Sequence, residues 1–94
     1  MTKKRVVGTG GELLMHQLVA QEVEYAFTNT GSAEAGFFDA FLTVPGVQPI
    51  LLLAESLVLS AADGYAKASR NAAFVNVHLA AGTRQGSGQL QNAY

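Results

Sequence analysis

The sequence predicts an α/β fold in which a parallel sheet carries helices on both of its faces. Three short apolar segments, at residues 25–27, 47–53 and 72–77, have the composition of β-strands, and each is followed by a segment with helical periodicity. This alternation is typical of parallel sheets. Because the carboxyl ends of such strands lie along one edge, the loops after them should meet there, where ligands bind in this class of fold.

The amino-terminal part of the chain predicts a loose segment and then a helix. Residues 1–8 contribute little to a core and are predicted to be a flexible lead-in, whereas residues 9–94 form one domain. Thr9 and Glu12 have the spacing of a capping box, which places the start of the first helix here. The apolar face of this helix is predicted to consist of Leu14, Met15, Leu18 and Val19.

The later helices follow from apolar side chains at three- and four-residue spacing. Ser32 is predicted to cap the second helix, and Pro45 with Gly46 ends it. The buried face of that helix is predicted to be Phe37, Phe38, Phe41 and Leu42. In the third helix, at residues 55–68, it is Leu57, Val58, Ala61, Ala62 and Tyr65. A glycine-rich loop at residues 81–83 is predicted to lead into a weak helix at residues 84–94.

Composition excludes several classes of function. The net charge is −1 and no basic block extends beyond three residues, so nucleic-acid binding is not expected. The chain has no cysteine, which excludes disulfides and thiolate chemistry. No signal peptide or membrane span is recognisable, and a cytoplasmic protein is expected. Hydrophobic residues make up 49% of the chain and charged residues 14%, so part of its apolar surface is expected to contact another molecule.

Glu55 lies at the junction between the second strand and the third helix, between two apolar segments. Burial there would favour the neutral form of its carboxyl group, which could then exchange a proton with a ligand. A second interpretation is that Glu55 interacts only with the dipole at the start of the helix. Position alone does not decide between these interpretations.

His78 is predicted to stand at the carboxyl end of the third strand. Period-two alternation places Phe74, Asn76 and His78 on one side of that strand. A histidine at this edge can exchange a proton near neutral pH, or it can merely satisfy a backbone group. No set of residues has the spacing of metal ligands, so no metal site is predicted within the chain.

Three segments together resemble the pyrimidine-binding domain of thiamine-diphosphate-dependent enzymes, particularly the benzoylformate decarboxylase and acetolactate synthase group. These segments are Asn-Thr-Gly-Ser-Ala-Glu at residues 29–34, the run around Glu55 that ends in Ala-Asp-Gly-Tyr-Ala, and Phe-Val-Asn-Val-His-Leu-Ala-Ala-Gly-Thr at residues 74–83. The resemblance implies that Glu55 hydrogen-bonds N1′ of the aminopyrimidine of thiamine diphosphate and promotes its imino tautomer. This step activates the cofactor towards a 2-keto acid.

The same resemblance implies roles for other residues. His78 corresponds to an active-site histidine, and Ser32 to a serine that orients the substrate carboxylate. Thr30 and Gly31 belong to the same turn and are expected to contact the cofactor, although Thr30 stands where the family usually has proline. A further departure is Glu22, where relatives commonly have glycine.

The resemblance also implies a larger assembly. In the family, a separate domain with a Gly-Asp-Gly motif holds the diphosphate and Mg²⁺, and in full enzymes it comes from the partner subunit. This motif does not occur in the chain. The chain is therefore expected to be the N-terminal part of a homo-oligomeric decarboxylase, carboligase or lyase and to be inactive in isolation. The alternative is a non-catalytic α/β module, or a fragment without independent activity, that serves assembly.

Overall fold

The protein alternates helices and strands, as the sequence predicts. The structure is a computed structural model that describes residues 5–29, 31 and 34–94. Its elements are α1 (Gly10–Ala20), β1 (Tyr25–Thr28), α2 (Ala35–Thr43), β2 (Gln48–Leu51), α3 (Glu55–Ser69), β3 (Phe74–Asn76) and α4 (Leu79–Ala93). The predicted lead-in at residues 1–8 lies partly outside the described residues and stays a prediction. In the described part of the chain, no helix is both long enough and apolar enough to span a bilayer.

The three strands form one parallel sheet in the order β2-β1-β3. The central strand, β1, pairs with both neighbours, so that Ala26 lies opposite Pro49 on one side and opposite Phe74 on the other. All three strands therefore end at the same edge of the sheet. The predicted fold class, a parallel sheet between helices, is confirmed.

The helices cover both faces of the sheet because the side chains of β1 alternate between two cores. On one face, Ala26 packs with α1 and α2 in a buried cluster that also contains Met15 and Ala40. On the other face, Phe27 packs with Val58 and Ala62 of α3. Helix α4 lies outside α3, and a side chain at Gly86 would meet Leu59 of α3 at 2.8 Å. The core thus consists of two small clusters that share the central strand.

The predicted capping box at the start of α1 is confirmed. The Thr9 N–H donates to Glu12 Oε1 at 2.9 Å, and the Glu12 N–H donates to Thr9 Oγ1 at 3.2 Å. The predicted apolar face is only partly correct, because Leu14 and Val19 are 42% and 38% exposed. Only Met15 and Leu18 of this helix are buried, since the narrow sheet does not extend beneath the other two positions.

Helix α2 ends at Thr43, before Pro45 and Gly46 as predicted, but its buried face differs from the prediction. Its N-cap residue is Glu34, which makes no side-chain capping hydrogen bond. The predicted cap, Ser32, lies outside the described residues. Leu42, predicted to be buried, is 85% exposed. The helix is instead anchored by aromatic rings, because Phe37 contacts Phe41 with ring centres 5.1 Å apart and Phe74 of β3 at 5.7 Å.

The second strand is an exposed edge strand, although the apolar composition of residues 47–53 is typical of a buried strand. Leu51 is 64% exposed, and Leu53, just beyond the strand, is 89% exposed. The reason is the strand order, which gives β2 only one neighbour. Pro49 is compatible with this position, because proline has no N–H to donate and is confined mainly to edge strands.

The segment at residues 81–83 is not a loop but the first turn of α4, which begins at Leu79. The prediction failed because glycine lowers intrinsic helix propensity, while tertiary packing can outweigh propensity. Gly82 and Gly86 are both buried against α3. Their lack of side chains allows the two helices to approach closely, and this packing stabilises a helix that its composition disfavours.

Glu22 adopts a left-handed backbone conformation, with φ of 63°, in the turn between α1 and β1. Glycine adopts this conformation without steric cost, whereas a residue with a Cβ is strained there. The turn geometry therefore explains why glycine suits position 22, where this chain has glutamate.

We expect the substitution Met15→Ala to destabilise the protein by about 2–5 kcal/mol, because it opens a cavity in the core. Met15 is 0% exposed. The matched control is Leu14→Ala on the same helix, where the loss should stay below about 1 kcal/mol, since that side chain is partly solvated. Urea unfolding of the chain followed by circular dichroism measures both values. Equal losses in the two variants would contradict the core described above.

Candidate functional site

The site lies at the carboxyl edge of the sheet, in the crevice between β1 and β3. The chain leaves β1 towards α2, on the face covered by α1. It leaves β3 towards α4, which packs outside α3 on the opposite face. Because the two connections diverge from adjacent parallel strands, they leave a crevice between them, which is the usual ligand site of open α/β sheets.

Glu34 and His78 join the two sides of this crevice. The Nδ1 atom of His78 lies 3.0 Å from Oε1 and 3.1 Å from Oε2 of Glu34. Glu34 follows β1, whereas His78 is the N-cap residue of α4, so the pair connects loops 44 residues apart in sequence. The side chains are 30% exposed for His78 and 16% exposed for Glu34, so solvent reaches the pair only in part.

Gly31 completes this cluster from the turn after β1. Its N–H donates to Glu34 Oε2 at 2.8 Å. Its Cα faces the imidazole of His78 so closely that any side chain at position 31 would overlap the ring. Glycine is therefore required here for space, and the Gly31 backbone packs against the imidazole of His78.

The electrostatic environment of Glu34 favours its ionised form. The hydrogen bond from His78 is the largest cause, and it holds the pKa of the Glu34 carboxyl below its ordinary value, with a smaller contribution from the Gly31 N–H. Both donors point at the carboxylate, and hydrogen bonding to the charged form lowers the pKa of an acid. Glu34 is therefore an anion and a hydrogen-bond acceptor at neutral pH.

Glu55 is the first residue of α3, at the end of the connection from β2, and is half-buried. Ala54 occupies the N-cap position and has no capping side chain. The burial of Glu55 is only partial, and the neighbouring apolar side chains of Leu53 and Leu57 are 89% and 50% exposed.

Gly82 provides the space that the Glu55 side chain occupies. A Cβ at position 82 would lie 2.8 Å from both Cγ and Oε2 of Glu55. Gly82 is also linked to His78, since its N–H donates to the His78 carbonyl oxygen at 3.0 Å in the first turn of α4. Glu55 and His78 therefore both lie beside the first turn of α4.

The floor of the crevice is polar where β1 and β3 end. The Thr28 hydroxyl donates to Oδ1 of Asn76 at 3.1 Å, and Thr28 is only 1% exposed. This agrees with the predicted alternation of β3, in which Asn76 and His78 share one side. The pair fixes the ends of the two strands relative to each other directly below His78.

The structure brings together only some of the predicted site residues. Gly31 contacts His78, and Glu55 contacts Gly82 in the same turn as His78. Ser32 and Thr30 lie outside the described residues, and their predicted roles stay predictions. Glu34 was not predicted, although a signal existed, because it is a carboxylate in the short polar turn that follows a strand of a parallel sheet.

A parallel α/β domain with an acid and a histidine at its carboxyl edge belongs to the broad class of ligand-binding α/β domains. A more specific assignment comes from the family described as "Thiamine pyrophosphate enzyme, N-terminal TPP binding domain", whose model matches residues 8–94. The chain belongs to this family of enzymes that bind thiamine pyrophosphate, also called thiamine diphosphate.

Individual relatives agree with this assignment. The chain is 37% identical over 84 residues to a candidate acetolactate synthase large subunit, IlvX, of Mycobacterium tuberculosis, with 89% of this chain and 16% of that protein covered. It is 47% identical over 68 residues to benzoylformate decarboxylase of Pseudomonas aeruginosa, with 72% of this chain and 12% of that protein covered. The chain thus spans only a small part of the length of these relatives.

A solved structure has the same fold. The thiamine diphosphate-dependent 4-hydroxybenzoylformate decarboxylase of Rhodococcus jostii superposes with a TM-score of 0.77 at 30% sequence identity. The match covers 89% of this chain and 16% of that enzyme. The fold and the membership in the family are therefore shown by independent comparisons of sequence and structure.

The described residues include a side chain suited to the aminopyrimidine of the cofactor. An aminopyrimidine presents a flat ring with nitrogen atoms that hydrogen-bond to a carboxyl group, and Glu55 offers such a group between exposed apolar side chains. Residues 5–29, 31 and 34–94 contain no group of three or more His, Asp or Glu side chains that could hold a metal ion. The carboxyl group of Glu55 thus suits the aminopyrimidine.

We expect Gly82→Ala to be less stable than Gly88→Ala by about 1 kcal/mol or more, because the new methyl group of the first variant must displace Glu55. A Cβ at Gly88, in the same helix, meets nothing within 4 Å. Alanine there should instead stabilise the helix by about 0.5–1 kcal/mol. Urea unfolding of both variants measures the difference. Equal stabilisation of the two variants would show that Glu55 does not pack on Gly82.

We expect the pKa of Glu34 to rise towards its ordinary value in the variant His78→Ala, because the hydrogen-bond donor that mainly lowers it is removed. Because the pKa of Glu34 is lowered in the folded state, this group stabilises the fold at pH values above the pKa that it has in the unfolded chain. That contribution is then lost as the pH falls through the lower, folded value. Carbon-13 NMR titration of the Glu34 carboxyl group measures both proteins. An unchanged pKa in the variant would contradict the hydrogen bond from His78.

Proposed function

We propose that the chain supplies the pyrimidine-binding half of an active site in a thiamine-diphosphate-dependent enzyme that acts on 2-keto acids. The observation that carries this proposal is the position of Glu55, whose carboxyl group lies at the carboxyl edge of the sheet, against the bare Cα of Gly82. Membership in the family supports it. The names of the relatives, which include two decarboxylases, support the class of reaction.

In this proposal, Glu55 holds and moves one proton. Its carboxyl group hydrogen-bonds the ring nitrogen N1′ of the aminopyrimidine and exchanges a proton with it. Thiamine diphosphate, when bound, supplies the carbon nucleophile and the electron sink for the reaction. The apolar side chains of Leu53 and Leu57 contact the flat heterocycle and exclude water from the hydrogen bond, which strengthens it.

The other predicted site residues act on the substrate side of the crevice. His78 exchanges a proton with the substrate or product, since an imidazole can both donate and accept a proton. Ser32 orients the substrate carboxylate by donating a hydrogen bond, and Thr30 and Gly31 shape the turn that contacts the cofactor. Gly31 is supported most directly, because its backbone already forms a wall beside His78.

The remainder of the site comes from a second domain, either in a longer polypeptide or in a partner subunit of a homo-oligomer. This domain holds the diphosphate and Mg²⁺, for which the described residues offer no ligand cluster. Large apolar side chains stand exposed around the carboxyl edge, at Leu51, Leu53, Leu57 and Leu79. Exposed apolar groups next to a site are typical of surfaces that another domain covers.

A non-catalytic assembly module is the second candidate function. The observation that favours it is the edge strand β2, whose side chains Gln48, Pro49 and Leu51 are exposed. Such a strand can add to another sheet or pack against a second chain. This function needs neither Glu55 nor His78, so the two candidates make opposite predictions for substitution of Glu55.

The test is a chimeric enzyme, in which this chain replaces the matching segment of Pseudomonas aeruginosa benzoylformate decarboxylase. We expect the chimera to decarboxylate benzoylformate and the substitution Glu55→Gln to lower its kcat by about 100-fold or more, since glutamine can hydrogen-bond but cannot exchange the proton. The rate of benzoylformate consumption measures the effect.

The matched control is Glu24→Gln, which makes the same chemical change at an exposed residue beside the amino end of β1. Its kcat should equal that of the parent chimera. The proposal is wrong if the folded Glu55→Gln chimera retains full activity. The assembly module then becomes the better account of the chain.

A further inference from the structure

The contact between Glu34 and His78 points to a role for Glu34 in addition to those proposed for Glu55 and His78. This role rests on the proposed function. We propose that Glu34 is a positioning residue, which fixes the proton of the His78 imidazole on Nδ1 and leaves Nε2 as the atom that exchanges protons with the substrate. The sequence analysis assigned no role to Glu34, although it is the last residue of the family-like segment at residues 29–34.

The geometry of the hydrogen bonds defines the tautomer. Both oxygens of Glu34 lie within 3.0–3.1 Å of Nδ1. An ionised carboxylate can only accept hydrogen bonds, so the shared proton must belong to Nδ1. In the neutral imidazole the lone pair then resides on Nε2, which is therefore the nitrogen able to accept a proton from a ligand.

Glu34 is itself held in place, so it can orient a second side chain. The Gly31 N–H donates to Oε2 at 2.8 Å, and the Glu34 N–H donates to the Gly31 carbonyl oxygen at 3.3 Å. These two hydrogen bonds join Gly31 to Glu34, the N-cap residue of α2. The carboxylate therefore has a defined direction before it meets the imidazole, as a preorganised partner requires.

The backbone at His78 adds a second constraint. Leu79, the next residue, has φ of 60°, a left-handed conformation that strains a branched side chain. Strained residues of this kind persist only where the surrounding structure holds them, and they cluster at functional sites. Here the conformation turns the chain sharply from β3 into α4. It leaves the imidazole of His78 between Glu34 and the Gly31 backbone.

A purely structural role for the pair makes different predictions. A hydrogen bond that only ties two loops together contributes to stability, and in that case the catalytic rate would not depend on Glu34. The chain offers a comparison in the pair of Asp63 and Lys67, which are 3.1 Å apart on the surface of α3. Loss of that pair should change neither the state of His78 nor the rate.

The first experiment measures the tautomer directly. Nitrogen-15 NMR of the histidine side chains, in the full chain at a pH where they are neutral, should show the His78 proton on Nδ1. In Glu34→Ala the signals should shift towards a mixture of tautomers, and in Asp63→Asn they should not change. His16, on α1, serves as an internal control whose signals stay constant in all variants. An unchanged His78 tautomer in Glu34→Ala would overturn the proposal, as would a wild-type chain without ordered histidine signals.

The second experiment uses the chimeric decarboxylase and its kinetic constants. Glu34→Gln should lower kcat about tenfold or more while KM changes less than about twofold, because proton transfer is impaired and substrate binding is not. Asp63→Asn should leave both constants unchanged. If Glu55→Gln abolishes turnover but Glu34→Gln does not affect it, the positioning role is wrong and the proposed function stands. If Glu55→Gln has no effect, the proposed function fails, whatever the tautomer of His78.

Discussion

The structure depends on the burial of the central strand on both of its faces. In β1, Ala26 is 0% exposed, Phe27 5% and Thr28 1%, although the whole strand has only four residues. Each face of this strand forms part of a separate apolar cluster, so the chain must place helices on both sides. The connection from β1 consequently leaves towards one face and that from β3 towards the other. The crevice with Glu34 and His78 follows from this divergence.

Small residues determine how closely the side chains of Glu55 and His78 can be packed. Gly31 leaves room for the imidazole of His78, and Gly82 leaves room for the carboxyl group of Glu55. In both cases the space where a glycine Cβ would lie is filled by the neighbouring side chain. A backbone has fewer conformations than a side chain, so each glycine holds that side chain in a defined position. The same glycines weaken the local helix and turn, and packing against α3 and β3 offsets this effect.

The sequence predicted the fold well because its signals are local. The capping box at Thr9, the helix that begins at Glu55 and the alternation along β3 each depend on residues a few positions apart. The edge position of β2 was missed because it depends on the order of strands in space, which apolar composition does not reveal. Pro49 was the one local indication of an edge strand.

The site was predictable only in part for the same reason. Motifs indicated Glu55 and His78, but the contact between Glu34 and His78 joins loops 44 residues apart and depends on the crevice itself. Gly82 was assigned to a loop because its propensity is poor, and only the packing of α4 on α3 explains its helical state. Sequence patterns therefore did not predict the contacts that form only when distant parts of the chain pack together.

The most direct test of the account is a crystal structure of the chimeric decarboxylase with thiamine diphosphate bound. The account predicts that the Glu55 carboxyl group lies within hydrogen-bond distance of N1′ of the aminopyrimidine, beside Gly82, with Nε2 of His78 facing the substrate space. A Glu55 side chain turned into solvent, with a different residue on N1′, would contradict it.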